Sequence, residues 1–251
     1  MSMNEQIVIK DLLISYNIQG DGEKTLLFLH GWGSNKETWQ GCIRELENER
    51  ISLYAIDLPG FGASQIPLKP MTVGDYAEIV AEFIKKLELK NVILIGHSFG
   101  GRIGIKLVSM RPELIEKLVL VDSAGFAMDA NKKNLANAAA KIVKPIFKPK
   151  FMQGLRKKIY KQIGSDYAET SGTMTATYVK TIEEDLTEDL KKITVPTLII
   201  FGEDDTVTPV SYGEKMHSLV PNSKFKILKQ AGHFSFLDKP EEFVEVLNKF
   251  I

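Results

Sequence analysis

Residues 91–102 read NVILIGHSFGGR, and they carry the clearest local signal of a strand that passes directly into a helix. Positions 92–95 are β-branched or leucine without polar alternation, which is typical of a strand buried on both faces of a parallel sheet. After Gly100, apolar and polar residues are interleaved as far as Pro112, which predicts a helix of about three turns. The glycines two positions either side of Ser98 permit a sharp strand-to-helix turn that would expose its side chain. We therefore interpret Ser98 as a candidate nucleophile, with a simple helix N-cap as the alternative.

The composition bounds the class of protein. A chain of 251 residues suits one large α/β domain, because a chain of this size buries roughly 70 to 75% of its unfolded surface. Lys and Arg total 32 and Asp and Glu total 32, so no net field favours nucleic acid or an anionic membrane. The single cysteine, Cys42, excludes an internal disulfide and a Cys-rich zinc site, and we expect no metal or cofactor. An N-terminus without a signal-peptide pattern and the lack of an apolar run near ~20 residues predict a cytoplasmic protein without stable membrane insertion.

Strand and helix patterns alternate along most of the chain. Besides positions 92–95, apolar strand patterns occur at 25–30, 52–56, 118–121, 197–201 and 225–228. Residues 7–18 alternate more loosely and end in a turn cluster, which predicts an antiparallel edge of the sheet. The alternation predicts an α/β fold with a mostly parallel central sheet flanked by helices. Ligands of such sheets bind beyond the carboxyl ends of the strands.

One region, residues 126–190, breaks this alternation because it is helix-compatible and contains no convincing strand. We predict that residues 1–125 and 191–251 form the core domain and that 126–190 form a helical cap inserted after the sixth strand. Between positions 131 and 161 there are ten Lys or Arg and no acid, whereas five acids crowd into positions 183–189. The basic half is either an ordinary solvated helix face or a surface that attracts anionic substrates or lipid.

The chain contains four histidines that could act as the base for Ser98. A serine hydroxyl is a poor nucleophile near neutral pH and needs such a base within hydrogen-bond reach. His30 ends a strand, and His97 adjoins Ser98, so the side chain of His97 should point away from that of Ser98. His217 falls in an amphipathic helical pattern and is expected at the surface. His233 follows the last strand, on the face where Ser98 would project, and is the best candidate base.

Three aspartates are candidates for the acid that orients this base. Asp204 and Asp205 follow the strand pattern at 197–201, and Asp122 ends the pattern at 118–121. Turn aspartates are also common as Asx turns or helix caps, so each is weak evidence by itself. We prefer Asp205, followed by Asp204 and then Asp122.

Five motifs together resemble the α/β-hydrolase family and span nearly the whole chain in the order of that family. They are residues 29–33, 57–62, 96–101, 202–205 with Pro209, and 232–234 followed by 239–243. The resemblance implies a catalytic triad of Ser98, Asp205 and His233. It also implies an oxyanion hole formed by the backbone N–H groups of Trp32 and Phe99, and it makes the insertion the variable cap of the family. A serine at the nucleophile position argues against the dehalogenase and epoxide hydrolase branches, which use aspartate there.

The resemblance implies a serine hydrolase that cleaves small to medium carboxylic esters through an acyl-enzyme. An alternative keeps the same triad but hydrolyses a C–C bond in a diketone-type acid from aromatic ring fission. A third interpretation, from another class, is a low-turnover member that binds a ligand for signalling. The cap shapes the acyl and leaving-group pockets, so the sequence does not identify the natural substrate.

Overall fold

The computed structural model describes residues 3–46, 50–127 and 172–251. The strands are β1 (Met3–Ile9), β2 (Leu12–Gln19), β3 (Lys24–Leu29), β4 (Ile51–Ile56), β5 (Val92–His97), β6 (Lys117–Val121), β7 (Thr197–Gly202) and β8 (Ser223–Leu228). The described residues form an eight-stranded sheet in the order β1-β2-β4-β3-β5-β6-β7-β8. β1 and β2 pair antiparallel, as do β2 and β4, and all pairs from β4 to β8 are parallel. The predicted mostly parallel sheet with an antiparallel edge is therefore confirmed.

Helices cover both faces of this sheet. They are α1 (Gln40–Leu46), α2 (Val73–Lys86), α3 (Phe99–Met110), α4 (Gly172–Glu183), α5 (Thr187–Leu190), α6 (Val210–Leu219), α7 (Ser235–Asp238) and α8 (Pro240–Asn248). Apolar side chains of α1, α7 and α8 pack on one face, and those of α2, α3, α5 and α6 pack on the other. Within the described ranges, the structure contains no helix of the length and apolarity that a bilayer span requires.

The β5 strand is buried on both faces, as its uninterrupted apolar run predicts. Ile93 and Ile95 belong to the core cluster beneath α1 and α8, whereas Leu94 belongs to the cluster beneath α2 and α3. Alternate side chains of a strand point to opposite faces, so a strand covered on both sides needs apolar residues at successive positions. This central position brings the end of β5 to the middle of the sheet edge where the loops meet.

The predicted insertion at 126–190 is described only in part, because residues 128–171 lie outside the described residues. The basic stretch at 131–161 therefore also lies outside them. Residues 172–190 contain α4 and α5, which agrees with a helical composition. Leu186 and Leu190 are fully buried against the core, and the Leu186 N–H donates to the Gly125 carbonyl at 2.9 Å. The two ends of the insertion thus meet side by side on the core.

Candidate active site

Ser98 lies at the sharp turn between β5 and α3. Its φ is 50°, in the left-handed region that residues other than glycine rarely adopt. A Cβ atom on Gly96 would lie 2.5 Å from the carbonyl oxygen of Gly100, so strand and helix approach too closely there for a side chain. The turn therefore has the strand–turn–helix form expected from residues 91–102, and it holds Ser98 at the carboxyl end of β5.

The structure brings Ser98, His233 and Asp205 together at this turn. His233 Nε2 lies 3.1 Å from Ser98 Oγ, and His233 Nδ1 lies 2.8 Å from Asp205 Oδ2. The three residues follow β5, β8 and β7, whose carboxyl ends lie at one edge of the sheet. This arrangement can move a proton from the serine hydroxyl to the imidazole while the carboxylate holds the imidazole tautomer.

The hydrogen bonds around Asp205 favour an ionised carboxylate. Oδ1 accepts the backbone N–H groups of Val207 and Thr208 at 2.8 and 3.0 Å, and Oδ2 accepts the Thr208 hydroxyl at 2.7 Å. Burial by itself raises the pKa of Asp205, but hydrogen bonds from His233 and Thr208 outweigh burial and leave that pKa below its ordinary value. Asp205 is therefore negative at neutral pH and can stabilise a positive charge on His233.

The other two candidate acids have different surroundings. The Asp204 side chain is exposed, and its backbone N–H donates to the Ala231 carbonyl. The Asp122 carboxylate accepts the backbone N–H groups of Gly202 and Ser235 at 2.8 and 3.0 Å, and burial raises its pKa to about 6. Asp122 thus joins the end of β7 to the loop that carries His233, and its hydrogen bonds go to backbone N–H groups rather than to the His233 imidazole. Of the three candidates, only Asp205 bonds to His233 in the described part of the chain.

Thr208 was not a candidate from the sequence, and His97 was a candidate without any predicted contact to His233. The Thr208 hydroxyl, which is bonded to Asp205, also lies 3.2 Å from His233 Nδ1. The Asp205 Oδ1 atom accepts the Val207 N–H two residues later, which makes an Asx turn and brings Thr208 beside the carboxylate. The His97 Nε2 atom lies 2.7 Å from the backbone carbonyl oxygen of His233. That contact joins positions 136 residues apart, so no local pattern could indicate it.

Of the proposed oxyanion donors, the Trp32 N–H lies on the loop after β3 and the Phe99 N–H lies at the start of α3, next to Ser98. Phe99 is the first residue of α3, where N–H groups have no partner inside the helix. His30 Nδ1 lies 2.8 Å from the Gly31 carbonyl oxygen, and His30 Nε2 accepts the Leu58 N–H at 3.0 Å. Burial lowers the pKa of His30, so its ring is neutral and Nδ1 carries the proton. The peptide bond between Gly31 and Trp32 is trans. The Trp32 N–H therefore points opposite to the Gly31 carbonyl and away from His30.

A cavity of about 400 Å³ opens beside Ser98 and is lined mostly by apolar side chains. This volume is in the range of small-molecule sites. The Trp32 ring packs 4.9 to 5.1 Å from the rings of Phe61, Phe99 and Tyr178, which makes one wall aromatic. Tyr178, Thr181 and Ile182 belong to α4 and also line the cavity. The described end of the insertion therefore supplies part of the wall that faces the serine.

Arg102, one helical turn after Ser98, fastens the two ends of the insertion to α3. Its guanidinium donates to the Phe126 carbonyl at 3.1 Å and to the Glu184 carbonyl. Burial lowers the pKa of Arg102 to about 10, which leaves it charged at neutral pH. Lys106, one turn further along, pairs with Glu184 at 3.0 Å and Asp189 at 3.2 Å. Two of the five crowded acids at 183–189 therefore hold the insertion on the core.

Comparisons with known proteins agree with this fold. Residues 26–246 match the alpha/beta hydrolase family. The chain is 28% identical to the pimeloyl-[acyl-carrier protein] methyl ester esterase of Citrobacter koseri over 259 residues, which cover 93% of this chain and 96% of that protein. It superimposes on the esterase EaEST from Exiguobacterium antarcticum with a TM-score of 0.84, 27% identity and 99% of both chains covered. A bacterial membrane phospholipase A gives a TM-score of 0.83 at 28% identity, with 99% of this chain and 85% of that chain covered. Because the family match extends over most of the chain, this protein belongs to the alpha/beta hydrolase family.

Proposed function

We propose that this hydrolase is a serine esterase that cleaves small to medium carboxylic esters through an acyl-enzyme. The observation that carries the proposal is the hydrogen-bonded series Ser98–His233–Asp205, with distances of 3.1 and 2.8 Å, beside an apolar cavity. A nucleophile, a base and an orienting carboxylate in this order are the parts that acyl transfer to a hydroxyl requires.

In the proposed mechanism, His233 Nε2 takes the proton of Ser98 Oγ while that oxygen attacks the ester carbonyl carbon. The negative charge that develops on the carbonyl oxygen is stabilised by the Trp32 and Phe99 N–H groups. His233 then donates its proton to the leaving alcohol oxygen, and the C–O bond breaks to leave an acyl group on Ser98. Water repeats the sequence and releases the acid. Asp205 stays ionised throughout and stabilises the imidazolium of His233.

The cavity favours an uncharged, apolar acyl group. Its walls near the serine are the aromatic cluster around Trp32 and the aliphatic side chains Ile182 and Val207. Burial of apolar surface gives about 25 cal/mol per Å², so each methylene that enters such a pocket should improve kcat/KM until the pocket is filled. The name of the Citrobacter koseri relative describes a methyl ester esterase, which supports ester chemistry for this chain.

The insertion is proposed to act as the cap of this site, on a core of residues 1–125 and 191–251. The cavity wall supplied by α4 and the attachment through Arg102 support that role. We also propose a reducing, cytoplasmic setting, because the single cysteine, Cys42, is buried and cannot form an internal disulfide.

The test is an ester chain-length profile with p-nitrophenyl acetate, butyrate and octanoate on the purified protein. Ser98→Ala should lower kcat on the order of 10⁶-fold, by analogy with serine-protease series. The kcat of His233→Ala should fall by a comparable factor. The matched control His217→Ala changes an exposed histidine and should keep the wild-type kcat. Retention of activity by Ser98→Ala would overturn the proposal.

The two alternative functions, C–C bond hydrolysis and low-turnover ligand binding, would use the same site. They can be distinguished from an esterase by the substrates that the protein turns over. A C–C hydrolase would turn over a vinylogous ketone acid much faster than the simple esters. A low-turnover binding protein would react stoichiometrically with a fluorophosphonate at Ser98 and hydrolyse none of the panel at a useful rate. Faster turnover of esters than of the ketone acid, dependent on Ser98, is the result that the esterase proposal requires.

A further inference from the structure

His97 is a buried histidine that lies between the serine and the loop of the base. It is 1% exposed, and its ring centroid lies 4.9 Å from that of His233. Its Nε2 is 2.7 Å from the backbone carbonyl oxygen of His233. The proposed mechanism assigns this ring no proton and no contact with substrate, although it is the immediate neighbour of Ser98.

The hydrogen bond defines the state of the His97 ring. A carbonyl oxygen can only accept a hydrogen bond. The Nε2 atom of His97 must therefore carry a hydrogen and donate a hydrogen bond to the His233 carbonyl oxygen. Burial, followed by the proximity of His233, lowers the pKa of His97 to about 3, so the ring is neutral at neutral pH. A neutral ring places no competing positive charge beside the imidazolium that forms on His233 during catalysis.

Several hydrogen bonds fix the loop that carries His233, and the hydrogen bond from His97 fixes His233 itself. The Ala231 carbonyl accepts the Asp204 N–H, and the Gly232 N–H donates to Asp238 at 2.8 Å. These contacts secure the residues that precede His233. The His97 bond secures the carbonyl of His233 itself. His97 precedes Ser98 directly in the chain. Its hydrogen bond to the His233 carbonyl therefore connects the backbone of the proposed base to the backbone of the proposed nucleophile.

The same ring also supports the loop of the proposed oxyanion donor. A Cβ atom on Gly31 would lie 2.8 Å from His97 Nδ1 and 3.3 Å from Ser98 Cβ. The backbone before Trp32 therefore rests directly on the imidazole. The His97 side chain thus contacts both the loop of His233 and the loop of Trp32, and the His97 backbone is joined to Ser98.

We propose that His97 is a positioning residue that sets the distance between Ser98 Oγ and His233 Nε2 through its bond to the His233 carbonyl. This role rests on the proposed Ser98–His233 chemistry. A misplacement of about 1 Å in a catalytic group can cost about 10²-fold in rate. Without the bond, the His233 carbonyl loses this partner, and the loop can shift to find another.

The test compares three substitutions of His97 in the full chain. His97→Gln keeps an N–H donor at about the reach of Nε2, His97→Asn keeps a donor on a shorter side chain, and His97→Leu removes the donor. The packing control is Phe236→Leu, because the Phe236 ring lies 5.1 Å from His97 but makes no side-chain hydrogen bond to the base. Each variant is assayed for kcat and KM with p-nitrophenyl butyrate and for the rate at which a fluorophosphonate labels Ser98.

We expect His97→Leu and His97→Asn to lower kcat and the labelling rate by about 10²-fold, with KM changed by less than about threefold. His97→Gln should restore both rates to within about fivefold of wild type, and Phe236→Leu should stay in the same range. If His97→Leu does not fold, the comparison of Gln with Asn gives the same answer.

Equal rates for Gln and Asn, or a loss in Phe236→Leu as large as in His97→Leu, would show that the ring only fills space and would overturn the inference. Wild-type labelling in every His97 variant, with activity still dependent on Ser98, would also overturn it while leaving the esterase proposal intact. Activity that survives Ser98→Ala would instead contradict the proposed function.

Discussion

Replacement of Asp205 by asparagine tests the most specific electrostatic feature of the site. The Asp205 Oδ1 atom accepts two backbone N–H groups, from Val207 and Thr208. An asparagine would keep its oxygen at that position, because its NH₂ group cannot accept those hydrogen bonds. The NH₂ group would then occupy the position of Oδ2 and donate to His233 Nδ1. The imidazole would be forced into the tautomer that carries its proton on Nε2, the nitrogen that faces Ser98 Oγ.

In that tautomer His233 cannot accept the serine proton. The cost seen for the equivalent change in a serine protease is about 10⁴-fold in kcat, which corresponds to about 5.5 kcal/mol of transition-state stabilisation. The chain offers a matched control in Asp204→Asn, which makes the same charge change one residue earlier on an exposed side chain. We expect Asp204→Asn to stay within about twofold of wild type, as surface changes of this kind usually have small effects.

The assay is the initial rate with p-nitrophenyl butyrate, with the fold of each variant checked by thermal unfolding. Asp205→Asn should lose kcat with little change in KM, because the tautomer affects proton transfer and leaves the apolar pocket unchanged. If Asp205→Asn kept more than about a tenth of wild-type kcat, or if Asp204→Asn lost as much as Asp205→Asn, the proposed role of the Asp205 carboxylate would be wrong.

Two further predictions concern stability. Lys36→Met should lower the free energy of unfolding in urea by about 3 kcal/mol or more, since Lys36 Nζ lies 2.7 Å from the buried Asp57 carboxylate, which would be left without that partner. Its control, Lys85→Met, breaks a half-exposed pair with Glu82 and should cost less than about 0.5 kcal/mol. Asp122, with its pKa raised by burial to about 6, contributes stability that is fully present below about pH 4 and is lost as the pH rises through about 6. The stability of wild type relative to Asp122→Asn should therefore fall by roughly 2.5 kcal/mol between about pH 4 and pH 7, measured by urea unfolding at each pH.

Each of these has a result that would contradict it. Equal losses for Lys36→Met and Lys85→Met would mean that burial of the Lys36–Asp57 pair has no special consequence. A difference between wild type and Asp122→Asn that stays constant with pH would mean that the Asp122 carboxyl ionises as freely in the fold as in the unfolded chain.

The sequence was most informative where the physical cause is local. An uninterrupted apolar run requires a strand covered on both faces, and β5 is such a strand. Glycines on both sides of Ser98 permit a turn that a side chain at Gly96 would block, and that turn is present. Strand and helix patterns in alternation predicted the mostly parallel sheet, because neighbouring parallel strands need a crossover between them.

Identification of the candidate site needed both the sequence pattern and the tertiary structure. From residue types and strand ends alone, the acid could be any of Asp122, Asp204 and Asp205, because each follows a strand at the same edge. The fold separates them by burial and partner: Asp204 is exposed, Asp122 is occupied by two backbone N–H groups, and Asp205 faces the imidazole. The catalytic roles of Ser98, Asp205 and His233 stay predictions that the experiments above test.

Short-range patterns in the sequence were enough to predict the class of fold, the turn at Ser98 and the loops that could carry a base and an acid. Only the tertiary structure decided which side chains meet. The bond from His97 to the His233 carbonyl and the attachment of the insertion through Arg102 both join parts of the chain that are distant in sequence. Such contacts depend on strand order and on the packing of loops at one edge of the sheet. These arrangements arise from the whole core and leave no pattern in any single stretch of sequence.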